Sequence, residues 1–288
     1  MGRPLGASTA AITEDSALGG TDIQRSLRFR SNNSAKLTRT FGTNTSDTTK
    51  TISVWVKRAK VGSFQSMFST AASGYIEGRF QFTDEDKIQY TDRDAGSGVT
   101  DIQKITTQKF RDVVGWYHLV LAIDTSDGTA DNRIKIYVNG TQVTDFSSST
   151  NPTQSYATSF FRSSASNYVG VNNDSSDYFD GYMTDINFID GQALDASYFG
   201  YTDSQTGLWR PKKYTYGNYG TNGFYLPLDN SVAIGSDKSG NGNDFSNNNA
   251  AVDLVSDSPS GIAVQRQPEA NPTGSVVFDG DSDHLTIT

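Results

Sequence analysis

WYHLVLAIDTSDGTADNRIKIYVNG, residues 116–140, is the stretch that decides the fold. Its two ends alternate between opposite faces and are rich in β-branched and aromatic residues, and this period of two predicts two antiparallel strands. Both faces of the first strand are largely apolar, so we expect it to lie centrally between two layers. Asn139 and Gly140 form the pair that a tight hairpin turn with positive φ needs, which predicts a third strand directly after them.

Two further segments complete a family pattern. Residues 51–57 read TISVWVK, and residues 179–194 read FDGYMTDINFIDGQAL. With the central hairpin between them, they resemble the laminin G-like (LamG) domains over roughly residues 24–200. LamG domains belong to the concanavalin A-like jelly rolls, together with legume lectins and pentraxins. The resemblance implies an all-β jelly-roll sandwich of two antiparallel sheets, and it implies less about function because this fold serves many functions.

The composition agrees with an all-β chain and excludes several functions. The 288 residues carry 24 Lys and Arg against 32 Asp and Glu, a net charge of −8, which argues against nucleic-acid binding. Glutamate is rare, whereas Asp, Gly, Ser, Thr and Asn, which favour turns, are abundant. The chain has no cysteine, so disulfides and thiolate metal sites are excluded. No apolar run is long enough for membrane insertion.

We divide the chain into four parts. Residues 1–22 are small and polar, and we expect an N-terminal tail or an anchor that orders only against a partner. Residues 23–205 are predicted to form the LamG-like jelly roll. Residues 206–222, rich in Gly and Tyr, are predicted to be a linker. Residues 223–288 are predicted to be the opening part of a second LamG-like unit.

The second unit is predicted from three motifs. Residues 224–229 (FYLPLD), 237–245 (DKSGNGNDF) and 275–288 (SVVFDGDSDHLTIT) resemble the opening third of another LamG domain. The last motif also repeats the style of residues 26–38, which is an internal repeat. Strands with one apolar face need a partner sheet, so either the natural chain continues or these strands pair with the first unit or with another chain. Of these, we favour continuation.

An acidic loop is the predicted metal site. Asn173, Asp174, Asp177 and Asp180 lie close together just before a core strand. Calcium prefers six to eight oxygen ligands from carboxylates and carbonyls on a bent backbone. The pentraxin resemblance implies calcium ligands in the corresponding loop. The loop lacks the closing glutamate of an EF-hand, and a solvated acidic turn is the alternative interpretation.

Three tyrosines are the predicted ligand-binding residues. Most aromatic side chains of a sandwich fill the space between its sheets. Tyr156, Tyr178 and Tyr201 lie in polar surroundings, so we expect them to be exposed and able to stack on sugars.

No catalytic residues are predicted, and we expect a non-enzymatic protein. The chain lacks the Glu-x-Asp-x-x-Glu strand of concanavalin-like glycosidases, and it has no G-x-S-x-G motif. His118 lies in the middle of a strand, where we expect a satisfied structural histidine. His284 flanks a turn. The sequence GNG at residues 240–242 is not a phosphate loop, because no helix with Lys-Ser/Thr follows it.

These features lead to a functional hypothesis. An extracellular type of fold without cysteine or an apolar signal-peptide core suits a bacteriophage particle protein. The segments FIDGQAL at 188–194, YGTNGFYL at 219–226 and SGNGND at 239–244 resemble LamG-containing virion proteins of marine phages. We expect a homo-oligomeric fibre or decoration subunit in the virion that contacts other virion proteins through residues 1–22 and binds host surface glycans. The alternatives are a bacterial cell-surface carbohydrate-binding adhesin and a polysaccharide-degrading enzyme.

Overall fold

The computed structural model describes residues 18–72, 75–93, 100–172, 176–229, 233–248 and 254–260. Within these ranges the helical segments are three short 3-10 turns, Ser31–Asn33, Ala130–Asn132 and Ala196–Tyr198. None of the described helical segments has the length and apolar character needed to cross a membrane. The described strands are β1 (Ser26–Phe29), β2 (Lys36–Thr40), β3 (Thr49–Arg58), β4 (Gln65–Ala72), β5 (Tyr75–Phe82), β6 (Lys87–Arg93), β7 (Thr100–Lys109), β8 (Tyr117–Asp124), β9 (Ile134–Val138), β10 (Thr141–Gln142), β11 (Phe146–Thr150), β12 (Ser166–Val169), β13 (Gly181–Asp190), β14 (Gly200–Thr202), β15 (Trp209–Pro211), β16 (Phe224–Leu226), β17 (Ser246–Asn248) and β18 (Leu254–Val255).

Sixteen of the described strands form two antiparallel sheets of eight strands each, and β14 and β15 form a separate two-stranded sheet. The first sheet has the order β10-β9-β8-β3-β13-β1-β18, and β16 also pairs with β13. The second sheet has the order β11-β7-β6-β5-β4-β12-β2-β17. The predicted all-β sandwich is therefore confirmed. The predicted hairpin turn is confirmed as well, because Asn139 and Gly140 both have positive φ (47° and 83°) between β9 and β10.

Aromatic side chains fill much of the space between the two sheets. Alternating residues of β3 (Ile52, Val54 and Val56) face strands of the second sheet across this core. A cluster of stacked and edge-on rings joins β13, β16 and the loop before β12, and its members are Phe41, Phe161, Phe188, Phe224 and Phe245. The core thus accounts for most of the phenylalanines, as expected for a sandwich.

An outer layer covers part of the first sheet. Val120 of β8 and Ile189 of β13 point away from the main core and pack against Leu194, Phe199 and Tyr214. The central strand β8 is therefore buried on both faces, as its sequence predicts. Where a linker over residues 206–222 was expected, the structure has β15, paired with β14, and the buried Tyr214. The outer face of β8 and β13 is apolar, and these residues remove it from water.

The described part of the C-terminal region completes the same sandwich. β16 pairs with Ile186–Phe188 of β13, and β1 pairs with Gly181–Met183 of the same strand, so the two strands lie end to end along one edge of β13. β17 pairs with β2, and β18 pairs with β1. In place of the separate unit predicted from residue 223, residues 224–229, 233–248 and 254–260 extend both sheets. Residues 1–17 of the predicted anchor and residues 261–288, which contain the repeat and His284, lie outside the described residues.

The DKSGNGNDF motif, residues 237–245, makes hydrogen bonds that join neighbouring strands in this region. Asp237 accepts hydrogen bonds from the backbone N–H groups of Tyr225, Ser239 and Asn243. Asn243 in turn donates to Gly223 O and accepts from Arg39 of β2. Since its polar side chains are satisfied within the fold, the motif serves to hold β16 and β2 together.

Candidate functional site

The predicted metal loop is described only in part. Asn173 and Asp174 lie outside the described residues. The carboxylate of Asp180 pairs with Arg28 and accepts a hydrogen bond of 2.6 Å from Ser31 Oγ. Asp177 Oδ2 accepts a hydrogen bond of 3.1 Å from Asn172 Nδ2. Partial burial raises the pKa of Asp180, but the hydrogen bonds from Ser31 and Arg28 outweigh that effect and lower it.

These contacts reduce the fit of the described residues to calcium. Asp180 already has a cationic partner, so bringing a cation to it requires displacing Arg28. Within the described ranges no group of three or more His, Asp or Glu side chains is placed to hold a metal ion. Calcium binding by this loop stays a prediction, because two of its four predicted ligands are outside those ranges.

The three predicted ligand-binding tyrosines have different environments. Tyr201 lies in β14 opposite Arg210, and it is only 9% exposed, so the expectation that it is exposed is wrong. The outer-layer hairpin of β14 and β15 explains its burial. Tyr178 is half-buried and forms a bridge to Ser66 at the start of β4. Tyr156 is also half-buried, and it alone of the three lines one of the described cavities.

That cavity, which we call the end pocket, has a volume of about 310 Å³. It lies where the loop before β12 meets the turn before β3. Its lining combines an aromatic ring, a guanidinium group, a carboxylate and several hydroxyl groups, from Asp47, Tyr156, Ala157, Thr158, Ser159, Arg162 and Ser163. A pocket with a few convergent polar groups is the usual form of a ligand site.

Two buried charged residues, Lys50 and Asp92, lie beneath the end pocket. Lys50 at the start of β3 is almost fully buried, and its Nζ donates to Phe160 O over 2.8 Å and to Thr158 O over 3.3 Å. Asp92 of β6 is fully buried, and its carboxylate accepts from the N–H groups of Ser159 and Phe160, each at 3.1 Å. Lys50 therefore binds the carbonyls of the pocket loop, and Asp92 binds its amides.

Both buried charges titrate near neutral pH. Burial raises the pKa of Asp92 to about 7, although the Ser159 amide and the Lys50 charge oppose the shift. Burial lowers the pKa of Lys50 to about 8, although the nearby Asp47 and Asp92 charges oppose the shift. Desolvation disfavours the charged form of each group, and their mutual attraction offsets only part of that cost.

The pocket loop is held by packing as well. Phe160 and Phe161 are buried in the core, and Phe161 has a left-handed backbone with φ of 48°. The Phe161 N–H donates to Thr70 Oγ1 over 2.7 Å. Gly78 of β5 leaves room for the loop, because a Cβ there would lie 2.9 Å from Phe160 Cα. A strained conformation persists only where its surroundings determine it, so the loop forms a rigid pocket wall.

The Tyr156 hydroxyl lies between the end pocket and two carboxylates, those of Asp101 and Asp92. It lies 3.1 Å from Asp101 Oδ2 and 3.4 Å from Asp92 Oδ1, and it donates to one of these carboxylates. Burial raises the pKa of Tyr156, and the two carboxylates raise it further. The tyrosine is therefore neutral and fixed in orientation, and its ring edges the cavity.

His118 is a structural residue, as its sequence context predicts. The imidazole is fully buried on the outer face of the first sheet, between Ser53, Trp55 and Trp209. Its Nε2 lies 2.8 Å from Ser53 Oγ, a serine–histidine pair that resembles a catalytic arrangement. Both groups are fully buried, and the imidazole also contacts Trp209, so the pair links the first sheet to the outer layer.

Of the residues at or beneath the end pocket, the sequence analysis names Tyr156 and does not name Lys50, Asp92 or Arg162. A signal for two of them exists. Alternate residues of a strand share a face, so Lys50 lies on the core-facing side with Ile52 and Val54. Asp92 likewise shares a face with Ile88 and Tyr90. A charged residue on an apolar strand face is either paired or functional. Arg162 carries no comparable signal in the sequence.

Comparison with known proteins identifies the fold family. Residues 29–197 match the laminin G model of the concanavalin A-like lectin/glucanases superfamily. A search of curated proteins finds no relative with significant similarity.

The similar solved structures are distant in sequence. A protein from Bacteroides ovatus to which carbohydrate binding has been ascribed is 14% identical, with a TM-score of 0.54 over 82% of this chain and 60% of its own. A heptameric pentraxin from Limulus polyphemus is 14% identical, with a TM-score of 0.43 over 62% of this chain and 81% of its own. The LG4-5 domains of mouse laminin α1 are 15% identical, with a TM-score of 0.40 over 61% of this chain and 43% of their own. At these identities the likeness concerns the fold alone.

Proposed function

Because this chain belongs to the concanavalin A-like lectin/glucanases superfamily, we propose that it is a non-enzymatic carbohydrate-binding protein of a bacteriophage particle. Its role there is that of a fibre or decoration subunit that attaches to glycans on the host surface.

The end pocket is the observation that carries the carbohydrate-binding part. Tyr156 supplies an aromatic edge, Arg162 a planar donor, Asp47 an acceptor, and Ser163 a hydroxyl. Sugars are recognised by such mixtures, since each ring has both hydroxyl groups and an apolar face. The rigid loop beneath the pocket supports the proposal, because a fixed wall lowers the entropy cost of binding.

The bonding of Asp92 supports a binding role over a catalytic one. Glycoside hydrolysis needs two carboxyl groups that reach the scissile bond from opposite sides. Asp92 has the perturbed pKa of a catalytic acid, but its oxygens accept hydrogen bonds from Ser159, Phe160 and Tyr90. These hydrogen bonds favour a role for Asp92 in stabilising the pocket loop over a role in chemistry on a bound sugar.

The virion part of the proposal rests on the resemblance of the FIDGQAL, YGTNGFYL and SGNGND segments to phage LamG proteins, and on the lack of cysteine. In this role residues 1–22 dock on the particle. A chain that starts at Leu18 keeps the hydrogen bonds of Gly19 and Thr21 to residues 211–213, and it is then expected to fold normally and to fail to incorporate. Normal incorporation of that truncation would remove the anchor role while leaving glycan binding intact.

Two measurements test the proposal. Purified protein applied to an array of bacterial surface polysaccharides is expected to bind at least one of them without releasing reducing ends. Release of reducing ends would favour a polysaccharide-degrading enzyme. Mass spectrometry of purified particles from the producing lysate is expected to detect the chain. Its detection on bacterial cell envelopes instead would favour an adhesin.

A further inference from the structure

A second cavity system lies along the side of the sandwich, where the edge strands of the two sheets meet. It consists of two adjoining cavities of about 400 and 460 Å³ that share residues 142–145. The first cavity reaches Lys104 of β7 and Phe146 of β11, and the second reaches Gln108 and Val138. We call this system the side cleft. Its residues are distinct from those of the end pocket.

Lys104 forms the base of the side cleft. It is only 3% exposed, and its Nζ donates to Ser149 Oγ over 2.7 Å and lies 5.0 Å from the centre of the Phe146 ring. Burial lowers the pKa of Lys104, and Asp131 opposes the shift. An ammonium group has three N–H donors, so this pattern leaves donor capacity toward the cavity.

Acceptors flank this donor. Asp131 Oδ1 accepts from Asn151 Nδ2 over 2.7 Å, and Asp145 Oδ1 accepts from Thr107 Oγ1 over 3.0 Å. Each carboxylate is thereby oriented and keeps further lone pairs.

We propose that the side cleft binds a neutral oligosaccharide, with Lys104 as donor and Asp131 and Asp145 as acceptors for sugar hydroxyl groups. One lysine between two aspartates gives the cleft a net negative charge, which disfavours uronic and sialic acids. Ile134, Val143 and Phe146 supply the apolar wall that a pyranose ring needs.

The shape of the cleft sets the length of its ligand. The two cavities share the lining residues 142–145, and in this proposal adjacent sugar units occupy one cavity each. This inference rests on the proposed carbohydrate-binding function and adds a second site to it. Two sites on one subunit raise the effective concentration of a polymeric glycan at the protein.

The test uses the full chain and two series of hexasaccharides. The neutral series is maltohexaose, cellohexaose, laminarihexaose and xylohexaose, and the acidic series is hexagalacturonate and hexamannuronate. Titration calorimetry is expected to show that a neutral member binds, and that Lys104→Met and Gln142→Ala each weaken it at least tenfold. Lys109→Met, an exposed lysine on the same strand, is the matched control and is expected to change nothing.

The outcomes separate this inference from the proposed function. Gln142 is exposed at the sheet edge, so Gln142→Ala keeps the test valid if Lys104→Met fails to fold. Neutral binding that survives both variants but disappears in Arg162→Ala overturns the side cleft and leaves the end pocket standing. Binding of the acidic series alone, with Lys104 dependence, overturns the assignment to neutral sugars. Absence of binding of both series by the wild type overturns the side cleft, while binding on the array of bacterial surface polysaccharides would leave the proposed function standing.

Discussion

Trp209 Nε1 donates a hydrogen bond to His118 Nδ1 over 3.0 Å, and this contact sets the tautomer of the imidazole. Since Nδ1 is the acceptor, the ring proton is on Nε2, which donates to Ser53 Oγ. Burial lowers the pKa of His118 to about 3, so the ring is neutral at physiological pH. The contact also joins β15 of the outer layer to β8 of the first sheet.

The first prediction concerns stability in acid. A histidine whose folded pKa is depressed contributes stability above its unfolded pKa of 6.5, and that contribution is lost as the pH falls toward 3. The full effect is at most about 5 kcal/mol at 1.4 kcal/mol per pH unit. Urea unfolding of wild type and His118→Gln at pH 7, 5.5 and 4 measures it. We expect the difference in stability between them to shrink as the pH falls, and a constant difference would contradict the buried neutral imidazole.

The second prediction concerns Asp92 and has the opposite pH dependence. A carboxyl group whose folded pKa is raised contributes stability below its unfolded pKa of 3.8, and that contribution is lost as the pH rises to about 7. Relative to Asp92→Asn, wild type is expected to lose up to about 4 kcal/mol between pH 4 and pH 7.5. Chemical denaturation at four pH values across this range checks it. A pH-independent difference would place the folded pKa of Asp92 near its ordinary value.

The third prediction concerns the close approach of β5 to the pocket loop. A Cβ at residue 78 would lie 2.9 Å from Phe160 Cα and 3.0 Å from Phe160 N, so Gly78→Ala forces backbone movement. We expect a loss of about 1 to 3 kcal/mol in the free energy of unfolding, as for other overpacked sites. Gly128→Ala is the matched control, because a Cβ there has no atom within 4 Å. Equal stability of the two variants would mean that the loop is not packed against β5.

The fourth prediction concerns calcium at the acidic loop. If the loop binds Ca²⁺ with a dissociation constant of about 10⁻⁴ to 10⁻³ M, millimolar CaCl₂ raises the melting temperature relative to EDTA by mass action. The rise is expected to disappear in Asp174→Asn with Asp177→Asn. Identical melting temperatures of wild type in both buffers would return the loop to the alternative of a solvated acidic turn, with Asp180 paired to Arg28.

The sequence predicts the strands and the layers but not all of the pairings. Alternation in β3, β8 and β13 is a local property, so periodicity reveals these strands and the burial of β8 on both faces. The pairing of β16 with β13 joins residues about 40 positions apart, and no local pattern encodes it. For this reason, the sequence predicts a separate LamG-like unit from residue 223. The described strands of that region instead extend the sheets of the first unit.

The candidate site was predicted to a smaller extent. The sequence predicts exposure for Tyr201, but this tyrosine is buried, because burial under an outer layer depends on the pairing of β14 with β15. Lys50 and Asp92 are 42 residues apart in sequence, and both bind the pocket loop. The alternation of their strands marks each as an unusual charged residue on an apolar face, but it does not show that they bind the same loop.

The central claim is that the end pocket binds a glycan without cleaving it. Titration calorimetry with the tightest polysaccharide fragment from the array, on wild type, Arg162→Ala and the exposed control Arg25→Ala, tests it most directly. We expect wild type and Arg25→Ala to bind alike and Arg162→Ala to bind at least about tenfold more weakly, a loss of about 1.4 kcal/mol. The fragment should be recovered intact. Unchanged affinity in Arg162→Ala, or recovery of a shortened fragment, would contradict the account.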